Sequence, residues 1–172
     1  MEVNKLKHRN LLYNDTITNI LGNKIVLVVP KNSNIDIKSF SDLAKDSVKQ
    51  IAIGESITSP VGRYTEELLN NLGIYGMIAD KIIFGHDSKE IIDLVKVDKL
   101  DCAIVYKTEV VLDNNDLKIA AEADGNNHTE IIYSTAVLKD TEKEEDAREF
   151  MNYLCSDKSL SILEDYGFDI II

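Results

Sequence analysis

The sequence is poor in several residue types that would mark a particular class of protein. Its 172 residues include no tryptophan, two prolines, two cysteines and three histidines. There is neither a Cys-x-x-Cys pair nor a Cys/His spacing typical of zinc, so we predict no cation site. Cys102 and Cys155 are predicted to be buried free thiols, with a disulfide as an alternative that no spacing specifies. No apolar run approaches the roughly 20 residues of a membrane-spanning helix.

Basic residues are too few to balance the acidic ones. The chain has 19 Lys and Arg against 30 Asp and Glu, a formal net charge of −11 at pH 7. This balance argues against nucleic acid or an anionic membrane as a partner. It does not argue against a small anion, because backbone N–H groups gathered in a loop can outweigh a distant, diffuse negative charge.

Sequence signals of secretion and of catalysis are absent as well. Residues 1–10 are polar and carry no signal-peptide core, so the chain as written would stay in the cytoplasm or be a cut piece of something longer. We find no nucleophile beside a base, no paired catalytic acids and no phosphate-loop fingerprint, and we predict that the protein is not an enzyme.

Short apolar runs alternate with helical patterns along most of the chain. Strands are predicted at 24–30, 48–53, 82–84, 102–106, 118–121 and 131–138. Helices are predicted at 39–44, 61–72, 88–97, 142–154 and 157–165. Such alternation predicts an α/β fold with a mostly parallel sheet between helices, and ligands of such sheets bind beyond the carboxyl ends of the strands.

Three predicted strand ends are candidates for an anion site. Ser59-Pro60-Val61-Gly62-Arg63-Tyr64 begins one helix, Ser88 begins another, and Tyr106 ends a strand. The first N–H groups of a helix have no intrahelical partners and lie at the positive end of the helix dipole, so they bind anions without Lys or Arg.

Each position also has an ordinary structural explanation. Val61 could belong to a plain first helical turn, and Tyr106 could simply pack on a neighbouring side chain. Ser88 could be an N-cap, in competition with Asp87. Arg63 is more simply a solvated residue on the helix surface.

The order of these segments resembles the periplasmic molybdate-binding proteins of ABC transporters. The resemblance covers residues 17–172 and rests on Ile25–Pro30, Leu43-Ala44, Ile51–Gly54, Pro60–Tyr64, Ile104–Tyr106, Tyr133–Leu138 and Tyr166–Phe168. It implies an α/β, type II periplasmic-binding-protein fold, whose two lobes clamp an oxyanion. Residues 24–137 would form one complete mixed-sheet lobe, and 138–172 would be C-terminal helices returning to the other. Residues 1–23 would be a lead-in and the start of the interlobe crossover.

The resemblance also implies a ligand set. The family's N-terminal motif, which supplies serine donors to the anion, has no match in this sequence, so part of the first lobe is expected to be missing. The remaining ligand positions match Val61 and Ser88, as backbone N–H donors, and Tyr106, as a hydroxyl donor. The ligand would be molybdate or tungstate, chosen over sulfate by cavity size, and no cofactor is implied.

The function implied is capture of that oxyanion outside the cytoplasm and its delivery to an ABC permease. Two alternatives stay open: an anion-sensing effector domain of a transcription regulator, and a truncated fragment that binds no ligand. A homodimer that rebuilds the cleft is a further expectation, because an incomplete lobe would expose apolar surface.

Overall fold

The computed structural model describes residues 2–97, 100–111 and 116–172, and the chain divides into two compact units. The larger unit is the continuous segment Lys24–Glu130, and the smaller unit combines Met1–Asn23 with Ile131–Ile172. The strands are β1 (Thr18–Asn23), β2 (Ile25–Pro30), β3 (Ile51–Gly54), β4 (Ile82–Gly85), β5 (Cys102–Tyr106), β6 (Leu117–Glu122), β7 (Ile131–Thr135) and β8 (Asp169–Ile170). The helices are α1 (Glu2–His8), α2 (Pro60–Asn71), α3 (Tyr75–Ile78), α4 (Ser88–Lys96), α5 (Lys107–Val111), α6 (Glu144–Leu154) and α7 (Asp157–Asp165). Short 3-10 helices cover Asn14–Thr16, Phe40–Ala44 and Ala79–Lys81.

The larger unit is built on a five-stranded mixed sheet in the order β4-β3-β5-β2-β6. β3 runs parallel to β4 and to β5, whereas β2 runs antiparallel to β5 and to β6. The prediction of a mostly parallel sheet is therefore wrong at β2. The chain enters β2 at the edge where β5 ends, with Ile25 opposite Tyr106, and alternation of elements along a sequence does not encode that direction.

β2 is buried along its whole length, because apolar side chains project from both of its faces. Helix α4 covers one face and closes an apolar core with the central strands. The buried members of this core are Val26, Val28, Ala52, Ile91, Ile92, Val95, Leu100, Ala103, Val105 and Leu117. The strands of the sheet are thus held together by a continuous apolar core.

The smaller unit contains an antiparallel three-stranded sheet in the order β7-β1-β8. The pairing of β1 with β7 places Thr18 opposite Thr135 and Asn23 opposite Ile131. The smaller unit includes residues 131–137, whereas the sequence prediction assigned them to the segment 24–137. The segment 1–23, predicted as a lead-in, likewise contains α1 and β1, which its polar sequence did not indicate.

Two other observations bear on the sequence predictions. Neither thiol is in a disulfide: Cys102 is fully buried, as predicted, and burial raises its pKa to about 12, but Cys155 is only partly buried. Within the described ranges, no helix is long and apolar enough to cross a membrane.

Candidate functional site

One edge of the five-stranded sheet gathers the three positions that the sequence singled out. Because β3, β4 and β5 are parallel, their carboxyl ends lie at the same edge, and Gly54 at the end of β3 pairs with Gly85 at the end of β4. The chain then continues into α2, α4 and α5. Val61, Ser88 and Tyr106 therefore all belong to the larger unit and to this single edge.

The first turn of α2 leaves one amide available at Val61. Ser59 is the N-cap, and its hydroxyl oxygen accepts from the Gly62 N–H at 3.4 Å, while Pro60 has no N–H to offer. No acceptor for the Val61 N–H exists in the part of the chain that the structure describes. Val61 as a whole residue is only 2% exposed.

A close backbone approach fixes the direction of that amide. A Cβ atom added to Gly62 would lie 2.4 Å from the carbonyl oxygen of Gly54, far inside van der Waals contact. The first turn of α2 therefore rests directly on the end of β3. The role of Gly62 was not predicted from the sequence, although a strand-end glycine followed by Ser-Pro-x-Gly is a signal for such a contact.

The start of α4 has the same arrangement with different residues. Asp87 is the N-cap, and its carboxylate accepts from the Glu90 N–H at 2.8 Å, while the Glu90 carboxylate accepts from the His86 N–H at 2.8 Å. The alternative that Ser88 is the cap is therefore wrong, because Asp87 occupies that position. Ser88 is the first helical residue, and among the described residues its backbone N–H meets no acceptor.

Tyr106 lies at the end of β5 and packs against an aromatic neighbour. Its ring meets the ring of Tyr64 edge-on, with centroids 6.4 Å apart, and Tyr64 lies one turn after Val61 on α2. Tyr64 also meets the ring of His128 at 6.2 Å. The ring packing expected from the structural alternative is thus present, and it links Tyr106 to the helix that carries Val61.

Sequence reasoning missed Glu109, an acidic residue on α5. Burial raises the pKa of Glu109, the nearby Ser88 side chain and Tyr106 backbone lower it, and the negative charge of Asp87 raises it. Its Oε2 atom is buried and has no hydrogen-bond partner among the described residues. Nothing in the sequence pattern points to it, because the burial of its side chain depends on the fold around α5.

Two lysines near this edge form ion pairs with the same carboxylate. Lys24, just before β2, and Lys107, just after β5, both pair with Glu122, the second at 3.7 Å. The hydrogen bond from Lys24 is the main reason why the pKa of Glu122 lies below its usual range. Arg63 is exposed, as predicted for a residue on a helix surface. The ammonium groups of Lys24 and Lys107 are therefore engaged by Glu122.

No group of three or more His, Cys, Asp or Glu side chains suited to a metal ion occurs within residues 2–97, 100–111 and 116–172. The chemistry that the edge offers is hydrogen-bond donation to an acceptor. Two helix N-termini supply partial positive charge, and an oxyanion can only accept hydrogen bonds.

The chain is similar in sequence to known proteins. The family model for bacterial extracellular solute-binding proteins matches residues 1–169. YvgL of Bacillus subtilis, named as an ABC transporter substrate-binding lipoprotein, is 37% identical over 151 residues, which are 88% of this chain and 57% of YvgL. The molybdate-binding protein ModA of Haemophilus influenzae is 28% identical over 168 residues, covering 95% of this chain and 65% of ModA. The chain thus spans less than two thirds of the length of either relative.

Solved structures give the same result. The substrate-binding domain named for a molybdenum ABC transporter of Clostridium difficile superposes with a TM-score of 0.90 at 29% identity, covering 99% of this chain and 73% of that domain. The periplasmic molybdate-binding protein of Azotobacter vinelandii superposes with a TM-score of 0.78 at 16% identity, and the alignment covers 99% of this chain and 74% of that protein. At this identity the likeness shows the fold alone. These likenesses confirm the predicted α/β fold class with its mixed sheet, and with the sequence relatives they confirm the predicted resemblance.

Proposed function

Because the chain belongs to the family of bacterial extracellular solute-binding proteins, we propose that it binds molybdate or tungstate as the substrate-binding component of an ABC transporter. The observation that carries the proposal is the set of unpaired first-turn amides at Val61 and Ser88, at the sheet edge where Tyr106 ends β5. Relatives named for molybdate binding support the choice of oxyanion.

Preorganised donors would bind the anion. The backbone N–H groups of Val61 and Ser88 and the hydroxyl of Tyr106 would each donate to a tetrahedral dianion, in charge-assisted hydrogen bonds that are about twice as strong as neutral ones. The contact between Gly62 and Gly54 and the cap at Asp87 hold the two helix starts in place before any ligand arrives. Selectivity against sulfate would come from the size of the space, since both anions carry the same charge and shape.

The wider role follows from the family. The chain would work outside the cytoplasm and pass its oxyanion to a permease, as the names of its relatives suggest for them. None of these names describes an enzyme. The homodimer expected from the sequence has no support among the relatives and stays a prediction.

A thermal melt of the 172-residue chain tests the proposal, with about 10 mM molybdate or an equal concentration of sulfate. A site with a dissociation constant of about 1 mM would stabilise the chain by roughly 1.4 kcal/mol through mass action. We expect molybdate to raise the melting temperature and sulfate to raise it less. No rise with molybdate contradicts the proposal for this chain, and equal rises contradict the selection by size.

The Tyr106 hydroxyl can be tested by a single-atom change. Tyr106→Phe should weaken molybdate binding by about 1.5–3 kcal/mol, the usual contribution of a hydrogen bond to a charged group. Tyr64→Phe is the matched control, because it keeps the edge-on ring packing and removes a hydroxyl that the proposal does not use. Equal affinities of the Tyr106→Phe variant and the wild type in calorimetry would remove Tyr106 from the site.

A further inference from the structure

Tyr64 on α2 is in contact with two other rings, and one of them is Tyr106, the candidate hydroxyl donor. The Tyr64 ring meets the Tyr106 ring edge-on, with centroids 6.4 Å apart and planes at 60°. It meets the His128 ring in the same manner, with centroids 6.2 Å apart and planes at 68°. Edge-on pairs at such distances are favourable, because the positive edge of one ring points at the negative face of the other. The two contacts together restrict the orientation of the Tyr64 ring.

The segment that carries His128 is tied to α2 by hydrogen bonds on both sides of that residue. The Glu67 carboxylate accepts from the Thr129 N–H at 3.0 Å and from the Thr129 hydroxyl at 2.9 Å. The Asn71 side chain donates to the Asn127 carbonyl oxygen at 2.9 Å. The buried His128 donates from Nδ1 to the Thr129 carbonyl oxygen at 2.7 Å, since a carbonyl can only accept. The position of the imidazole ring is therefore well determined.

The residues of α2 that make these contacts lie on one face of the helix. Tyr64, Glu67 and Asn71 are three and four positions apart, a spacing that places side chains on the same side. The hydrogen bonds of Glu67 and Asn71 do not involve the Tyr64 ring. A substitution at Tyr64 thus changes the surroundings of Tyr106 while α2 and residues 127–129 remain joined.

We propose that Tyr64 is a positioning residue, whose ring fixes the ring of Tyr106 so that the Tyr106 hydroxyl donates to the bound oxyanion in a good geometry. This inference rests on the proposed function and assigns Tyr64 no contact with the anion. The hydroxyl lies at the far end of the Tyr106 side chain, so a modest rotation about the Cα–Cβ bond displaces it strongly. Hydrogen bonds weaken steeply when their angle departs from linearity, and a side chain that must be ordered on binding loses conformational entropy. A neighbouring ring that holds Tyr106 beforehand reduces both losses.

Isothermal titration calorimetry of the full chain with molybdate tests the inference in a double-mutant cycle. Tyr64→Leu removes the ring and should raise the dissociation constant by about 3-fold to 10-fold, whereas Tyr64→Phe keeps the ring and should bind like the wild type. In the Tyr106→Phe background the hydroxyl is gone, so Tyr64→Leu should cause no further loss of affinity. Its loss of stability in urea should be equal in both backgrounds, because Tyr106→Phe keeps the ring.

Asn71→Ala is the matched control, because it removes a hydrogen bond between α2 and the same segment but removes no ring. It should leave the molybdate affinity unchanged. His128→Leu is a second variant, which keeps Tyr64 and removes one of its two ring contacts. It should weaken binding by less than Tyr64→Leu does, and only while the Tyr106 hydroxyl is present.

Several results would overturn the inference and leave the proposed function intact. One is wild-type affinity in both Tyr64→Leu and His128→Leu. Another is a loss in Tyr64→Leu that is equal with and without the Tyr106 hydroxyl, and a third is an equal loss in Asn71→Ala. Wild-type affinity in Tyr106→Phe overturns the role of this hydroxyl, and the inference with it. No molybdate binding by the wild type overturns the proposed function as a whole.

Discussion

The contact between α2 and β3 makes a sharp prediction about Gly62. In Gly62→Ala, the new methyl group would lie 2.4 Å from the Gly54 carbonyl oxygen, where ordinary contact begins near 3.4 Å. The obstacle is backbone on both sides, so the start of α2 would have to move by about 1 Å rather than rotate a side chain away. Such overpacking costs about 1–3 kcal/mol, and the better helix propensity of alanine returns about 0.5–1 kcal/mol.

The expected net effect is a loss of about 1–2 kcal/mol in the free energy of unfolding, measured by urea denaturation with an unchanged slope. Molybdate affinity should fall more steeply, by about 10-fold to 100-fold, because displacing the Val61 amide forfeits a hydrogen bond to a charged ligand. Gly76→Ala is the control: Gly76 lies within α3, and an added Cβ meets no atom within 4 Å.

The control variant should be more stable than the wild type by about 0.5–1 kcal/mol, since alanine restricts the unfolded chain and fits the helix. A Gly62→Ala variant that is as stable as Gly76→Ala and binds molybdate like the wild type would contradict this prediction. The start of α2 would then not rest on β3, and the Val61 amide would not be held in place by that contact.

Three further changes test other features in the same denaturation assay. The Thr65 hydroxyl is fully buried and has no partner among the described residues, so Thr65→Val should raise stability by about 1 kcal/mol; a loss would reveal a hidden partner. The pKa of Glu109 is raised, so the wild type should lose stability as the pH rises from about 4.5 through the folded value, and Glu109→Gln should not; parallel pH profiles would refute this. Asp42 pairs with Lys45 and accepts from the Ser39 amide, and its pKa is lowered chiefly by Lys45. The stability that Asp42 contributes above its ordinary pKa of 3.8 should be lost as the pH falls. The Asp42→Asn variant should therefore lose less stability than the wild type at acid pH, and an equal loss in both proteins would contradict this.

Local sequence signals predicted the larger unit well, because its elements carry their own boundaries. The fully apolar run of β2 needs no partner to be recognised as a strand, and Ser59 with Pro60 marks the start of α2 within one residue. Asp87 and Ser88 together bracket the start of α4 in the same way. The three candidate site positions were chosen because each lies at such a boundary, and their role in ligand binding stays a prediction.

Features that depend on distant pairings were not predicted. β1 contains glycine and two asparagines, and it is a strand because β7 and β8 pair with it; the Ser134–Asn19 hydrogen bond joins residues 115 positions apart. The direction of β2 and the burial of Glu109 are equally non-local. No window of sequence contains both partners of any of these contacts, so the polar pattern of β1 and the acid on α5 read as ordinary surface.

The division of the chain into a continuous unit and a discontinuous one has a consequence for folding. All the strands of the five-stranded sheet come from Lys24–Glu130, so that sheet can be completed as soon as this segment is synthesised. The pairing of β1 with β7 must wait for Ile131 and the residues after it, and it closes a long loop. If the larger unit folds first, this closure joins the two ends of a structured insert instead of the ends of a flexible chain. A substitution that unfolds the insert would therefore also slow or weaken the pairing of β1 with β7, although it changes neither strand.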